Sequence, residues 1–96
     1  MTEATRAVPT VQIENDRIRV TEWRFPPGAA TGWHRHDYDY VVVPITTGQL
    51  TMIGPEGAET RASLVSGQAY ARDAGVEHDV LNANDHEFVF IDIELK

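Results

Sequence analysis

Residues 28 to 48 read GAATGWHRHDYDYVVVPITTG, and the reading of this stretch decides the fold. It begins and ends on glycine, carries two histidines one residue apart, and runs into a β-branched segment, Tyr40 to Ile45. If residues 33 to 36 form a strand, alternate side chains share a face. His34 and His36 then point the same way, with Cα atoms roughly 6.5 Å apart. Two imidazoles in that relation can converge on one ion. Trp33 and Arg35 would face the other way, or line the rim if the strand is short. A lone pair of this kind is more often two satisfied polar side chains than a metal site, so a third ligand is needed from elsewhere.

Working outward, period-2 patterns dominate. RIRVTEWRF (17–25) and EFVFIDIEL (87–95) alternate residue by residue, and YVVVPI (40–45) is β-branched. Shorter strands are expected at Val11 to Ile13, Leu50 to Ile53, Thr60 to Leu64, Gln68 to Ala71 and His78 to Asn82. Turn signals such as Asn15-Asp16, Pro26-Pro27-Gly28, Thr47-Gly48, Ser66-Gly67 and Asn84-Asp85 separate them at the interval typical of sandwiches and barrels. No stretch sustains a helical period. The expectation is an all-β chain with a ligand site between its sheets or inside its barrel.

Composition limits what the chain can be. Its 96 residues make one domain (1–96), and 42% apolar residues suffice for a core. Fifteen acidic against eight basic residues give a net charge of −7, with the basic residues scattered; this argues against nucleic acid as a partner. The run from Tyr40 to Ile45 falls far short of the roughly 20 residues that cross a bilayer. The start, MTEATRAVPTVQ, lacks the apolar region of a secretory signal, so a cytoplasmic location is expected. Residues 1–10 read as a flexible or strand-exchanging segment. With no cysteine, any metal must use imidazole and oxygen ligands.

A third imidazole comes from GQAYARDAGVEHDVLN (67–82), where Ala74-Gly75 turns the chain into a segment beginning near His78. Taken together, the two stretches resemble the cupins, small β-barrels with motifs G(X)5HXH(X)3,4E(X)6G and G(X)5PXG(X)2H(X)3N. Gly28, His34, His36 and Gly48 fit the first. Gly67, Gly75, His78 and Asn82 fit the second, with Asp73 in place of the proline. The resemblance spans most of the chain. It implies a small cupin jelly-roll (double-stranded β-helix) barrel and a divalent transition metal, Fe, Ni, Zn, Mn or Cu, held by His34, His36 and His78.

Where the first motif places a glutamate ligand, this chain has Tyr40 on the shorter count and Val41 on the longer. Tyr40 lies in phase with the two histidines, so its phenol could reach the ion or a bound water and serve as ligand or catalytic group; Asp39 could do so if a bulge shifts the phase. Three neutral imidazoles alone leave a divalent charge uncompensated, and they disfavour oxygen-seeking Mg²⁺ and Ca²⁺. Asp37, Glu77 and Asp79 flank the ligands and could accept their second ring N–H, although most such residues on strands are solvated charges.

Arg24, Trp33, Met52, Tyr70 and Phe90 are candidates to line a pocket, with core filling as the alternative. An inward Arg24 would suggest an anionic ligand. His86 matches no ligand position and reads as a surface group. The resemblance implies an enzyme acting on a small organic acid, as dioxygenase, isomerase or decarboxylase, or else a non-catalytic barrel that binds or senses a small metabolite. It also implies a homodimer. Within the family, VTEWRFPPGAATGWHRHDYDYVVVP (20–44) is similar to small single-domain members described as β-alanine degradation proteins.

Overall fold

The two alternating segments at either end of the sequence pair with each other. In the computed structural model, which describes residues 5–96, β2 (Ile18–Phe25) and β9 (Phe88–Leu95) run antiparallel in unbroken register from Ile18↔Leu95 to Phe25↔Phe88. On one side β1 (Val8–Glu14) adds to β2, and on the other β4 (Asp39–Pro44) and then β7 (Tyr70–Arg72) add to β9. A second sheet, in the order β3-β8-β5-β6, contains β3 (His34–Arg35), β5 (Gly48–Ile53), β6 (Glu59–Leu64) and β8 (Glu77–Leu81). The only helical element among the described residues is a 3₁₀ turn at Pro55–Gly57. No helix there is long and apolar enough to cross a membrane. The all-β, jelly-roll expectation holds.

Side-chain parity sets what lies inside. The inward residues of β2 and β9 pair as Phe25↔Phe88, Trp23↔Phe90, Thr21↔Asp92 and Arg19↔Glu94. From β4, Val42 and Tyr40 face inward opposite Asp92 and Glu94. The interior is therefore apolar at one end and polar at the other. Phe25, Phe88 and Leu50 are fully buried and plug the apolar end, with the Phe25 and Phe90 rings 5.5 Å apart. Truncating either plugging phenylalanine to Ala should cost about 3–5 kcal/mol.

The strands expected at 11–13, 50–53, 60–64, 68–71 and 78–82 all exist, with ends shifted by a few residues. β1 is the longest extension: it continues to Val8 and pairs with β2 of the same chain. Its register slips between Val11 and Ile13, a bulge of the kind found on edge strands. Residues 1–4 of the segment expected to be flexible or exchanging lie outside the described residues.

Candidate metal centre

β3 is only two residues long, yet it places the cluster. His34 pairs directly with His78 across β3 and β8. The chain leaves the strand before His36, which is tied back by two backbone bonds: its N–H donates to the Val76 carbonyl at 2.9 Å, and its carbonyl accepts from Gly75 N–H at 2.7 Å. Gly75 makes that approach at φ +98°, a region that disfavours any residue with a Cβ.

The three rings meet nitrogen to nitrogen. His36 Nε2 is 3.1 Å from His34 Nε2 and 3.2 Å from His78 Nε2, with the rings close to perpendicular. Two donors each about 2.1 Å from a common ion stand roughly 3.0–3.4 Å apart between a right angle and a tetrahedral angle. The spacing therefore fits an ion. Imidazole lone pairs aimed at one another repel unless a proton or a cation lies between them, and the protonated forms are disfavoured here. Burial, then the charge of His34, pushes His36 down to about 4, and the same two causes push His78 to about 4. Near neutral pH both offer free lone pairs.

The orientation of His34 is fixed by its own approach loop. Its Nδ1 lies 2.9 Å from the Gly32 carbonyl and 3.2 Å from Thr31 Oγ1. A carbonyl can only accept, so Nδ1 carries the proton and Nε2 is left to coordinate. Asp79 fastens the loop, accepting from Gly32 N–H at 3.1 Å and from Thr31 Oγ1 at 3.4 Å. Thr31 Oγ1 also accepts from Val80 N–H at 3.2 Å. Asp79 thus acts on His34 through the backbone rather than by touching the ring. Asp37 and Glu77 instead flank the exposed Arg35, 3.8 and 3.5 Å away.

The cluster opens into a cavity of about 300 Å³, enough for a small metabolite. Met52, Tyr70 and Phe90 line it. Arg24 and Trp33 do not. The Trp23 ring takes the inward place on β2, so Arg24 faces out and pairs with Glu87 at 2.7 Å and Glu22 at 3.2 Å. Trp33 alternates with the inward His34 and is 54% exposed. The inward arginine is Arg19, bound to Glu94 at 2.7 Å. Beside it stands Asp92, buried, its carboxyl pushed up to about 7 by burial and then by the charge of Glu94.

Comparison with known proteins finds a match to the cupin domain over residues 21–94. The chain belongs to the cupin family. This cupin is 58% identical over its whole length to the β-alanine degradation protein BauB of Pseudomonas aeruginosa, and the two cover each other completely. A cupin domain from Bordetella pertussis Tohama I superposes with a TM-score of 0.96 at 56% identity, covering 100% of this chain and 99% of the other. A double-stranded β-helix protein from Klebsiella pneumoniae shares the fold at 19% identity, with a TM-score of 0.77 and coverage of 99% and 81%.

Tyr40, at the place of the family's glutamate, presents its face rather than its oxygen to the cluster of this cupin. Its ring stacks on His36 with centroids 3.8 Å apart and planes 13° apart, beneath the cavity wall rather than in it. Burial pushes its phenol up to about 12, so the neutral form persists. Asp39 turns away and accepts from Ala74 N–H at 2.8 Å. His86 is exposed, and its Nδ1 lies 3.0 Å from the Glu87 carbonyl. Asn82, the last motif residue, is fully buried and donates to the carbonyls of Phe25 and His86. Sequence reasoning missed Arg19, Thr21, Trp23, Asp92 and Glu94, which strand parity groups on one face of β2 and β9 without telling which face is inner, and Thr31, on the loop before β3, which carried no signal.

Proposed function

We propose that this cupin holds a divalent transition-metal ion on His34, His36 and His78 and acts there on a small organic acid, in the breakdown of β-alanine for which its Pseudomonas relative is named. The observation that carries the reading is the convergence of three Nε2 atoms on the wall of a cavity sized for a small metabolite. A bound ion would supply Lewis-acid polarisation or oxygen activation. The chain's own residues do the rest. The imidazoles bind, the Thr31, Gly32 and Asp79 bonds orient His34, and Trp23, Met52 and Phe90 restrict water around the site. The test is metal analysis of untagged protein after loading with Fe²⁺, Mn²⁺, Ni²⁺, Cu²⁺ and Zn²⁺ in turn. About one ion per chain should survive gel filtration and raise the melting temperature. His34→Ala, His36→Ala and His78→Ala together should abolish both effects. Wild-type protein that retains no ion refutes the reading.

A homodimer belongs to the same proposal. Two apolar surfaces of the five-stranded sheet support it. Val8, Val11 and Ile13 on the β1 edge are 54%, 53% and 48% exposed, and Val41, Val43, Ile91 and Ile93 share the sheet's outward, half-buried face. Light scattering at micromolar concentration should give twice the chain mass; a strictly monomeric mass overturns it.

A further inference from the structure

The inward face of β9 carries two carboxylates, and only one is satisfied. Glu94 accepts from Arg19 Nη1 at 2.7 Å. Asp92, one inward place deeper, lines the cavity at 6% exposure, and its Oδ1 has no hydrogen-bond partner. A buried polar oxygen left unpaired costs about 1–3 kcal/mol, and native folds rarely keep one without a use. Its inward cross-strand neighbours are Thr21 and Val42, and neither satisfies it. Arg19 is engaged by Glu14 and Glu94. Among the described residues, no side chain supplies Asp92 Oδ1 with a donor.

Asp92 meets the histidine cluster at one edge, through His36. An oxygen of Asp92, an oxygen of Glu94 and a ring nitrogen of His36 lie within 4.8 Å of one another, a group that shares only His36 with the three imidazoles. His34 and His78 belong to one sheet and Asp92 to the other, so the cavity has two unlike ends. At the imidazole end, three neutral ligands would leave a divalent charge that attracts an anion. At the other, Arg19 bonds Glu94 and leaves Asp92 without a counter-charge, so an arriving cation would be the partner that holds Asp92 ionised. Trp23, Tyr70 and Phe90 line the same cavity, and aromatic rings suit an ammonium.

We propose that Asp92 receives the ammonium group of a short amino acid whose carboxylate end is drawn to the ion at His34, His36 and His78. The proposal rests on the metal reading above and names its substrate class: an amino acid with its amine at the far end of the chain from the carboxylate. Charge at both ends sets the specificity, so an acid lacking the amine loses one anchor and keeps the other.

Zinc-loaded protein, its zinc content measured in every sample, is titrated calorimetrically with β-alanine, 3-hydroxypropionate and propionate. Wild type should bind β-alanine about tenfold or more tighter than either of the others, the size expected for a charged hydrogen bond. Asp92→Asn should remove most of that preference while zinc content and propionate affinity stay unchanged. Equal affinity for β-alanine and propionate on zinc-replete wild type overturns the proposal and leaves the metal reading standing. So does 3-hydroxypropionate binding as tightly as β-alanine. Protein that retains none of the five ions brings down both readings; protein that takes up another of them in place of zinc is titrated loaded with that ion. Should Asp92→Asn fail to fold, the three-ligand comparison on wild type still decides.

Discussion

Tyr40 lies flat against His36, ring centroids 3.8 Å apart and planes 13° apart, with Tyr40 only 3% exposed. The pairing gives His36 a rigid floor and makes the aromatic face, rather than the hydroxyl, the useful part of Tyr40. Tyr40→Phe should therefore leave metal affinity within about threefold of wild type, whereas Tyr40→Leu should weaken it by roughly tenfold and cost about 1–3 kcal/mol of stability through lost packing. Chelator competition and denaturant unfolding measure the two quantities. A tenfold loss in Tyr40→Phe would show that the phenol oxygen is a ligand after all.

The cluster was legible in the sequence because its three histidines sit at fixed distances from turn glycines, and turns constrain strands whatever the packing. Asp92 was not legible, for a reason visible along β9. Ile91 and Ile93 flank it, so an alternation count places the isoleucines in the core and the carboxylates in water. The structure has the reverse parity: Phe88, Phe90, Asp92 and Glu94 face in, while Ile91 and Ile93 face out. Arg24 and Arg19 show the same ambiguity on β2, where Val20 on one face and Trp23 and Phe25 on the other are all hydrophobic. Only the pairing of β2 with β9 settles which face is inner.

Asp79 reaches His34 through two backbone-anchored bonds, from Gly32 N–H and Thr31 Oγ1. Asp79→Ala should free the loop and lower metal affinity by about 10–100-fold, the usual cost of losing an outer orienting group. Asp79→Asn keeps an acceptor for Gly32 N–H and should recover most of that loss. An alanine variant that binds metal like wild type would mean that His34 is held by the Gly32 carbonyl alone.

Asp92 and the histidines impose opposite pH dependences on the metal-free fold. The Asp92 carboxyl is raised from 3.8 to about 7, so its protonated form is favoured in the fold. Its contribution is full below pH ~4 and is lost as pH rises towards ~7. His36 and His78 are lowered from 6.5 to about 4, so stability is lost as pH falls from ~6.5 towards ~4. In wild type the two slopes partly cancel. Asp92→Asn removes one of them, and at pH 8 in the presence of chelator the variant should be more stable than wild type by on the order of 3 kcal/mol, with the gap closing near pH 4. Parallel stability curves for the two proteins would contradict the burial of an ionisable carboxyl at this position.

Asn82 joins the two halves of the barrel by hydrogen bonds alone. Its side-chain amide donates to the Phe25 carbonyl at 3.1 Å and the His86 carbonyl at 2.9 Å, and its Oδ1 accepts from Asn84 N–H at 3.0 Å. Asn82→Ala leaves those groups without partners in a fully buried position and should cost about 2–4 kcal/mol. Asn82→Asp has nearly the same shape but at neutral pH replaces a donor with a charged acceptor facing two carbonyl oxygens, so it should be the worse variant. Once protonated, the aspartic acid regains a donor, and the difference between the two variants should narrow as pH falls below ~5. Denaturant midpoints of both at pH 7.5 and pH 4.5 test the argument; a constant difference would mean that volume, rather than hydrogen bonding, is what Asn82 supplies.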